Sequence, residues 1–150
     1  MLYNIINFFI YMLLIFIIIY NIIYLRYIMT DNLVNIFGKG LKSDFWGPST
    51  WLFLHSVTFT FPLEPNDEIR KIYFNFFYSL QFILPCNVCR MHYAEHIKKN
   101  NTELNLKVFN NRNTCIKWLY DIHVEVNKKL NKTNITLKEV IDMYEKNRAI

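Results

Sequence analysis

Two cysteines separated by two residues, Cys86 and Cys89, are the side chains of this sequence that most directly suggest chemistry. Pro85 precedes them, and a helix is predicted to begin at the pair and run to about Lys99. The unpaired N–H groups at a helix start stabilise a thiolate, which is the nucleophile in thiol–disulfide exchange. We therefore expect Cys86 to be the exposed partner of an incoming thiol and Cys89, one turn further on, to be shielded.

The same segment allows a second chemistry, because His92 and His96 share a helical face with Cys89 at spacings of three and four. Together with Cys86 these residues amount to a four-ligand zinc set. One helix seldom surrounds an ion tetrahedrally, however, and the sequence has no second CxxC pair. A thioredoxin-like motif is also disfavoured, because that motif follows a strand, whereas the pattern here is helical. The zinc-binding or scaffold module, tethered to a membrane, stays open as the alternative to a redox pair.

The elements around the cysteines are predicted to be helices, because apolar residues recur at spacings of three and four. Asn66 and the acids after it have helix-start chemistry, and Thr136 with Glu139 matches a capping box. Alternating strand patterns with Gly-rich turns are missing from the sequence. The fold class is therefore predicted to be all-α, a four-helix bundle plus a short fifth helix. The predicted helices cover residues 46–58, 66–80, 86–99, 115–130 and 140–145.

An apolar segment at the N-terminus is predicted to be a transmembrane helix. Residues 2–25 carry no charged side chain, and 8–20 is an unbroken apolar run. A bilayer core is spanned by roughly 20 such residues in a helix. A cleaved signal peptide is disfavoured, because no basic region precedes the run and no small-residue cleavage site follows it. We expect an anchor over 1–27, a linker over 28–44 and a folded domain over 45–150.

The charge distribution bears on partners and on membrane orientation. The net charge is +5, but the lysines are scattered along helices rather than clustered, which argues against nucleic-acid binding. Arg26, Lys39 and Lys42 follow the apolar span, so the positive-inside rule predicts a cytoplasmic domain. Asn-X-Thr sequons also permit a lumenal domain, although such triplets arise readily by chance in an Asn-rich chain. They begin at positions 100, 131 and 134.

Three motifs in order carry a resemblance to a known family. They are WGPSTWLFLH at 46–55, CNVC at 86–89 and WLYDIHVEVNKKL at 118–130. The sequence strongly resembles the Erv/ALR family of FAD-linked sulfhydryl oxidases, whose patterns are WGxxxWxxLH, CxxC and HNxVNxxL with a lysine close behind. The resemblance covers about 45–144. The sequence is similar in pattern to the compact family members encoded by large DNA viruses, which act in the cytoplasm.

The resemblance implies FAD held among the helices near the CxxC, and no metal. Cys89 would lie against the flavin, Cys86 would meet the client dithiol, and oxygen would receive the electrons and become hydrogen peroxide. The flavin is needed because direct thiol–oxygen chemistry is slow. By motif position, the implied cofactor-binding residues are Trp46, Gly47, Trp51, His55, His92, Trp118, His123, Val126, Asn127, Leu130, Lys132 and Tyr144.

The sequence also departs from the family pattern. Val124 stands where relatives usually have Asn, and Tyr120 stands where many cellular members have a disulfide-bonded cysteine. Cys115 is then a solitary thiol, expected to be buried. The distal shuttle CxxC of many cellular members is missing too, which implies a separate thioredoxin-like dithiol protein as electron donor. The family commonly dimerises through its first two helices, so the aromatic-rich 73–82 face is the expected homodimer surface.

Overall fold

A computed structural model describes residues 2–38 and 40–149, leaving out the side chains of 2–6, 26 and 29–37. The side chain of Arg26, and Lys39 altogether, therefore lie outside the described part. This part contains no strand and divides into two units, Met1–Gly40 and Leu41–Ile150. Its helices are α1 (Leu2–Phe37), α2 (Ser43–Phe59), α3 (Asp67–Ile83), α4 (Asn87–His96), a 3₁₀ helix (Leu106–Phe109), α5 (Arg112–Lys129) and α6 (Leu137–Lys146).

The first unit is the single helix α1. Its segment Asn7–Leu25 is long and apolar enough to cross a membrane, with a mean hydropathy of 2.5 and none of it buried. The helix continues to Phe37, so the first part of the predicted linker over 28–44 is helical. Residues 28–37 contain neither Gly nor Pro to stop a helix, whereas Gly38 has a φ of 65°. A left-handed glycine of this kind commonly follows the last helical residue.

The helix starts in the second unit follow local side-chain chemistry. The Asn66 side chain accepts from the Ile69 N–H at 2.8 Å, which caps α3 where the sequence predicted. The capping box of Thr136 and Glu139 is present at the start of α6, also as predicted. The end of α4 differs, because it stops at His96 rather than near Lys99. The His96 carbonyl accepts from the Thr102 hydroxyl at 2.7 Å, which turns the chain away.

The core of the second unit is largely aromatic. Phe77 of α3 meets the Trp118 ring of α5 edge-on at 5.1 Å between centroids, and both lie against Phe109 of the 3₁₀ helix. Phe77, Phe109, Leu119 and Ile122 are fully buried. Helix α2 packs against α5, and α3 packs against α4. The first of these pairings brings together side chains from two of the sequence motifs.

Candidate functional site

The CxxC pair forms a disulfide at the start of α4. Cys86 and Cys89 are bonded, with their Cα atoms 5.1 Å apart. Cys86 is the N-cap residue, and its sulfur accepts from the Cys89 N–H at 3.2 Å. The prediction that a helix begins at this pair is confirmed. Both cysteines are half-buried, so the expected difference in exposure between them stays a prediction.

The segment just before the disulfide is held by backbone hydrogen bonds. The Cys86 N–H donates to the Leu84 carbonyl at 2.8 Å, and the Leu41 N–H donates to the Pro85 carbonyl at 2.6 Å. The Leu41 carbonyl in turn accepts from the Trp46 indole N–H at 3.2 Å. Trp46, predicted from the motif as a cofactor residue, therefore contacts the segment that is bonded to the redox motif.

Five side chains from α2, α5 and α6 form what we call the aromatic cluster: Trp51, His55, Phe59, His123 and Tyr144. Trp51 stacks on His123 with centroids 3.8 Å apart and planes 5° apart. The His55 and Tyr144 rings are 5.6 Å apart, and Phe59 stacks on Tyr144 at 4.6 Å. Four of these residues come from the motif prediction. Phe59 was missed, although its place four residues after His55 was the signal that could have found it.

The two histidines of the aromatic cluster are neutral at physiological pH. Burial, and then the neighbouring His123, lower the pKa of His55 to about 4. Burial, and then the charge of Lys132, lower the pKa of His123 to about 4 as well. His55 Nε2 and His123 Nδ1 lie 3.1 Å apart. One ring must donate and the other accept, an arrangement that two neutral imidazoles provide.

The aromatic cluster fits the FAD expected from the resemblance. His55 is only 3% exposed, and its Nδ1 has no hydrogen-bond partner among the described residues. A buried unpaired polar atom costs free energy, so a polar ligand edge satisfies it favourably. Trp51, His123 and Tyr144 keep part of their surface exposed. A Cβ added at Gly47 would meet no atom within 4 Å apart from its chain neighbours and the backbone of its own helix, which leaves open space beside the first motif.

The predicted residues at the end of α5 lie on a tight turn. The Lys132 N–H donates to the Asn127 carbonyl at 2.9 Å, and Asn131 between them has a φ of 53°. The Asn127 amide donates to Asn134 at 3.0 Å. This turn keeps the Lys132 charge close enough to lower the pKa of His123. It therefore carries a cation near His123, and the predicted phosphate-side role of Asn127 and Lys132 stays a prediction.

Four other residues predicted to bind the cofactor lie outside the aromatic cluster. Trp118 is 5% exposed and lies in the core, where its indole N–H donates to the Thr102 carbonyl at 3.0 Å. Its contacts in the structure are those of a core residue. Val126 and His92 are half-buried, and Leu130, the residue directly after α5, is 49% exposed.

The zinc alternative does not match the observed geometry. Cys86 and Cys89 are bonded to each other, so neither is a thiolate ligand in this state. His96 is fully buried, and burial lowers its pKa. Across residues 2–38 and 40–149, no group of three or more His, Cys, Asp or Glu side chains is arranged to hold a metal ion.

Comparison with known proteins gives the same family as the motifs. The Erv1/Alr family profile matches residues 48–145. A probable FAD-linked sulfhydryl oxidase of Acanthamoeba polyphaga mimivirus is 38% identical over 106 residues, which are 71% of this chain and 73% of that protein. The FAD-linked sulfhydryl oxidase of African swine fever virus (isolate Pig/Kenya/KEN-50/1950) is 35% identical over 102 residues, covering 67% and 80% of the two chains.

The fold comparison agrees with the sequence comparison. The crystal structure of the FAD-binding domain of Erv1 from Saccharomyces cerevisiae superposes with a TM-score of 0.63 at 25% identity. The match covers 73% of this chain and 99% of that domain. The predicted all-α fold is thus confirmed, with Erv1 as a structural neighbour. Profile, relatives and fold lead to one conclusion: this chain is a member of the Erv1/Alr family.

Proposed function

We propose that the chain is an FAD-linked sulfhydryl oxidase that forms a disulfide in a dithiol client. Two electrons pass from the client to oxygen, with hydrogen peroxide as the product. The observation that carries the proposal is the Cys86–Cys89 disulfide at the start of α4, inside the region that matches the family. Relatives named FAD-linked sulfhydryl oxidases support the same activity.

The disulfide is the group that oxidises the client. A client thiolate attacks Cys86, which breaks the Cys86–Cys89 bond and forms a mixed disulfide. The second client thiolate then attacks the client sulfur in that mixed disulfide and releases Cys86. The client loses two electrons and two protons, and the pair gains two electrons as thiols or thiolates. The N-terminal N–H groups of α4 favour this step, because they stabilise negative charge on the departing sulfur.

The aromatic cluster is proposed to hold FAD. When bound, FAD supplies a two-electron acceptor that oxygen can reoxidise. Trp51, His123 and Tyr144 are only partly buried, so each keeps some ring surface for flat ligand groups, and His55 offers its unpaired Nδ1. Around them, the motif positions assign supporting contacts to Trp46, Gly47, His92, Trp118, Val126, Asn127, Leu130 and Lys132.

The electron donor is proposed to be a thioredoxin-like dithiol protein. The sequence has three cysteines, and the third, Cys115, is buried with its pKa raised to about 12 by burial. Cys115 is therefore unsuited to relay electrons from final clients to the disulfide. A separate protein with its own exposed dithiol fills that role.

A second copy of the chain is proposed to cover the outer face of α2 and α3. Large apolar side chains are exposed on both helices, which is unusual for a surface facing only water. They are Leu52, Phe53, Ile72, Tyr78, Phe82 and Ile83. Sedimentation of the detergent-solubilised chain should give a homodimer, and aspartate at Phe53 and Phe82 should give a monomer.

Helix α1 is proposed to anchor the domain to a membrane, with the domain on the cytoplasmic side. The apolar segment Asn7–Leu25 and the basic residues after it support this topology. The proposed division is an anchor over 1–27, a linker over 28–44 and an oxidase domain over 45–150. Protease added to intact membranes should digest the domain. Protection of the domain, or its release as a soluble cleaved chain, would contradict the proposal.

Oxygen consumption by the purified chain in detergent tests the activity. With dithiothreitol as the dithiol, the wild type should consume oxygen and produce an equal amount of hydrogen peroxide. Cys86→Ser and Cys89→Ser should each abolish turnover, because either change removes the disulfide. Cys115→Ser is the matched control, since it removes a buried thiol and leaves the pair intact. Full turnover in either of the first two variants would contradict the proposal.

A further inference from the structure

We infer that Arg90 is the positioning residue of the redox motif, because its buried guanidinium fixes the turn carrying Cys86 and stabilises the thiolate form of the reduced pair. This inference rests on the proposed oxidase function. It adds to that function a group that sets how readily the Cys86–Cys89 disulfide accepts electrons.

Arg90 is unusual in being a buried cation directly after the second motif cysteine. It is 6% exposed, whereas arginine is rarely buried unless it is paired or bonded. It lies on the inner face of α4 with Tyr93, which is 6% exposed, and Ile97, directly after the helix, is 5% exposed. Removing a guanidinium from water is costly unless hydrogen bonds to the protein replace those to water. Its hydrogen bonds are therefore energetically important.

Those hydrogen bonds bracket Cys86. Arg90 Nη1 donates to the Leu84 carbonyl at 2.7 Å, and Nη2 lies 3.4 Å from the Asn87 side-chain oxygen. Leu84 is two residues before Cys86, and Asn87 is the residue after it. The planar guanidinium thus spans the turn in which the N-cap cysteine lies. A lysine has one charged nitrogen and lacks this fork geometry.

The backbone of Cys86 takes part in the same network. The Leu84 carbonyl that accepts from Arg90 also accepts from the Cys86 N–H at 2.8 Å. The Cys86 carbonyl accepts from the backbone N–H of Arg90 at 3.0 Å. Both polar backbone groups of Cys86 are therefore bonded either to Arg90 or to the carbonyl that Arg90 holds. This network keeps Cys86 in the N-cap position, where its sulfur accepts from the Cys89 N–H.

The charge of Arg90 matters once the disulfide is reduced. Reduction breaks the S–S bond, adds two electrons to the pair, and leaves each sulfur as a thiol or a thiolate. A guanidinium stays protonated, and a positive charge away from water favours thiolate over thiol. Reduction of the disulfide is then more favourable, so the pair is a stronger oxidant of the client.

Three substitutions separate charge from geometry in the full-length chain in detergent. Arg90→Met removes the positive charge and all hydrogen-bond donors of the side chain. Arg90→Gln keeps an uncharged donor, and Arg90→Lys keeps the positive charge but not the planar geometry of the guanidinium. Lys98→Met is the control, because Lys98 is an exposed cation just beyond the end of α4. Two quantities are read by mass spectrometry of the Cys86 peptide: the equilibrium with dithiothreitol, and the rate of iodoacetamide alkylation after reduction.

We expect Arg90→Met to make the disulfide about tenfold harder to reduce, which corresponds to about 30 mV for a two-electron couple. Alkylation of reduced Cys86 should slow by about tenfold as the thiolate fraction falls. Arg90→Lys should give intermediate values, Arg90→Gln values near those of Arg90→Met, and Lys98→Met should match the wild type.

The inference would be overturned if Arg90→Met had the same reduction equilibrium and the same alkylation rate as the wild type. It would also be overturned if Lys98→Met shifted both quantities as much as Arg90→Met does. If circular dichroism shows that Arg90→Met is unfolded, the test uses Arg90→Lys and Arg90→Gln instead. Equal reduction equilibria and equal alkylation rates in those two variants would overturn the inference. Neither readout requires FAD, oxygen or a client. A colourless, inactive chain would therefore refute the proposed oxidase without changing this result.

Discussion

The rings of Trp51 and His123 stack with centroids 3.8 Å apart and planes only 5° apart. Trp51 belongs to the first sequence motif and His123 to the third, and the packing of α2 against α5 joins them. His123 Nδ1 also lies 3.1 Å from His55 Nε2. The His123 imidazole therefore stacks on Trp51 and shares a hydrogen bond with His55. This link makes His123 the central residue of the aromatic cluster.

Replacing His123 with leucine should lower both stability and flavin retention. The change leaves Nε2 of His55 unpaired in addition to its already unpaired Nδ1, and the newly unpaired buried nitrogen costs about 1–3 kcal/mol of unfolding free energy. Urea unfolding of the flavin-free protein measures the stability loss, and the absorbance at the flavin maximum after purification measures retention.

The double variant His55→Leu/His123→Leu is the control for that prediction. Because the two rings share one hydrogen bond, the stability losses of the single variants should not add. Additive losses of unfolding free energy would show that the two histidines act independently, contrary to the hydrogen bond between His55 Nε2 and His123 Nδ1.

Acid should destabilise the folded domain between pH 6.5 and about 4. His55 and His123 have lowered pKa values when folded, so the unfolded chain binds more protons throughout this range. Their contribution to the free energy of unfolding is fully present above pH 6.5. Below that value, each ring lowers the free energy of unfolding by up to about 1.4 kcal/mol per pH unit. Thermal unfolding of the flavin-free protein across this range measures the slope.

His123→Asn should reduce this slope, because one of the two titrating rings is gone. His96 also has a lowered pKa from burial, so part of the slope should persist. An unchanged slope in His123→Asn would mean that this ring titrates alike in the folded and unfolded chain.

The cap of α6 should support the aromatic cluster at a distance. Thr136→Ala removes the hydroxyl that accepts from the Glu139 N–H at 3.2 Å, and loss of such a cap costs about 1 kcal/mol. Since α6 carries Tyr144, flavin retention should fall together with the midpoint of urea unfolding. Thr133→Ala, in the exposed loop before α6, should leave both values unchanged. A drop of equal size in both variants would count against the cap.

Cys115 should be unreactive in the folded protein. It is fully buried, and burial raises its pKa to about 12, so very little thiolate exists near neutral pH. Maleimide should modify it only after urea is added. Rapid labelling of Cys115 in the native, oxidised chain would contradict this prediction.

The sequence predicted the helices well, because their signals are local. The Asn66 cap, the Thr136–Glu139 capping box and the CxxC at the start of α4 are all found where expected. The 3₁₀ helix Leu106–Phe109 was missed, because a four-residue segment is too short for periodicity to register.

Side-chain environments were harder to predict than helices. Trp118 packs against Phe77 and Phe109 in the core, so its assignment to the cofactor, made from its motif position, stays a prediction. Burial of Arg90 was also missed, because a charged residue is ordinarily expected at the surface. Its spacing of three and seven from the buried Tyr93 and Ile97 was the available signal. Contacts between distant segments decide such cases, and a local pattern does not contain them.

The most direct test of the oxidase account is the visible absorption spectrum of the purified full-length chain, recorded without oxygen before and after dithiothreitol is added. We predict a yellow protein whose flavin absorbance bleaches with dithiol and returns when air is admitted. Cys89→Ser should be equally yellow but should not bleach at the wild-type rate. A colourless wild-type chain, or bleaching of Cys89→Ser as fast as the wild type, would contradict the account.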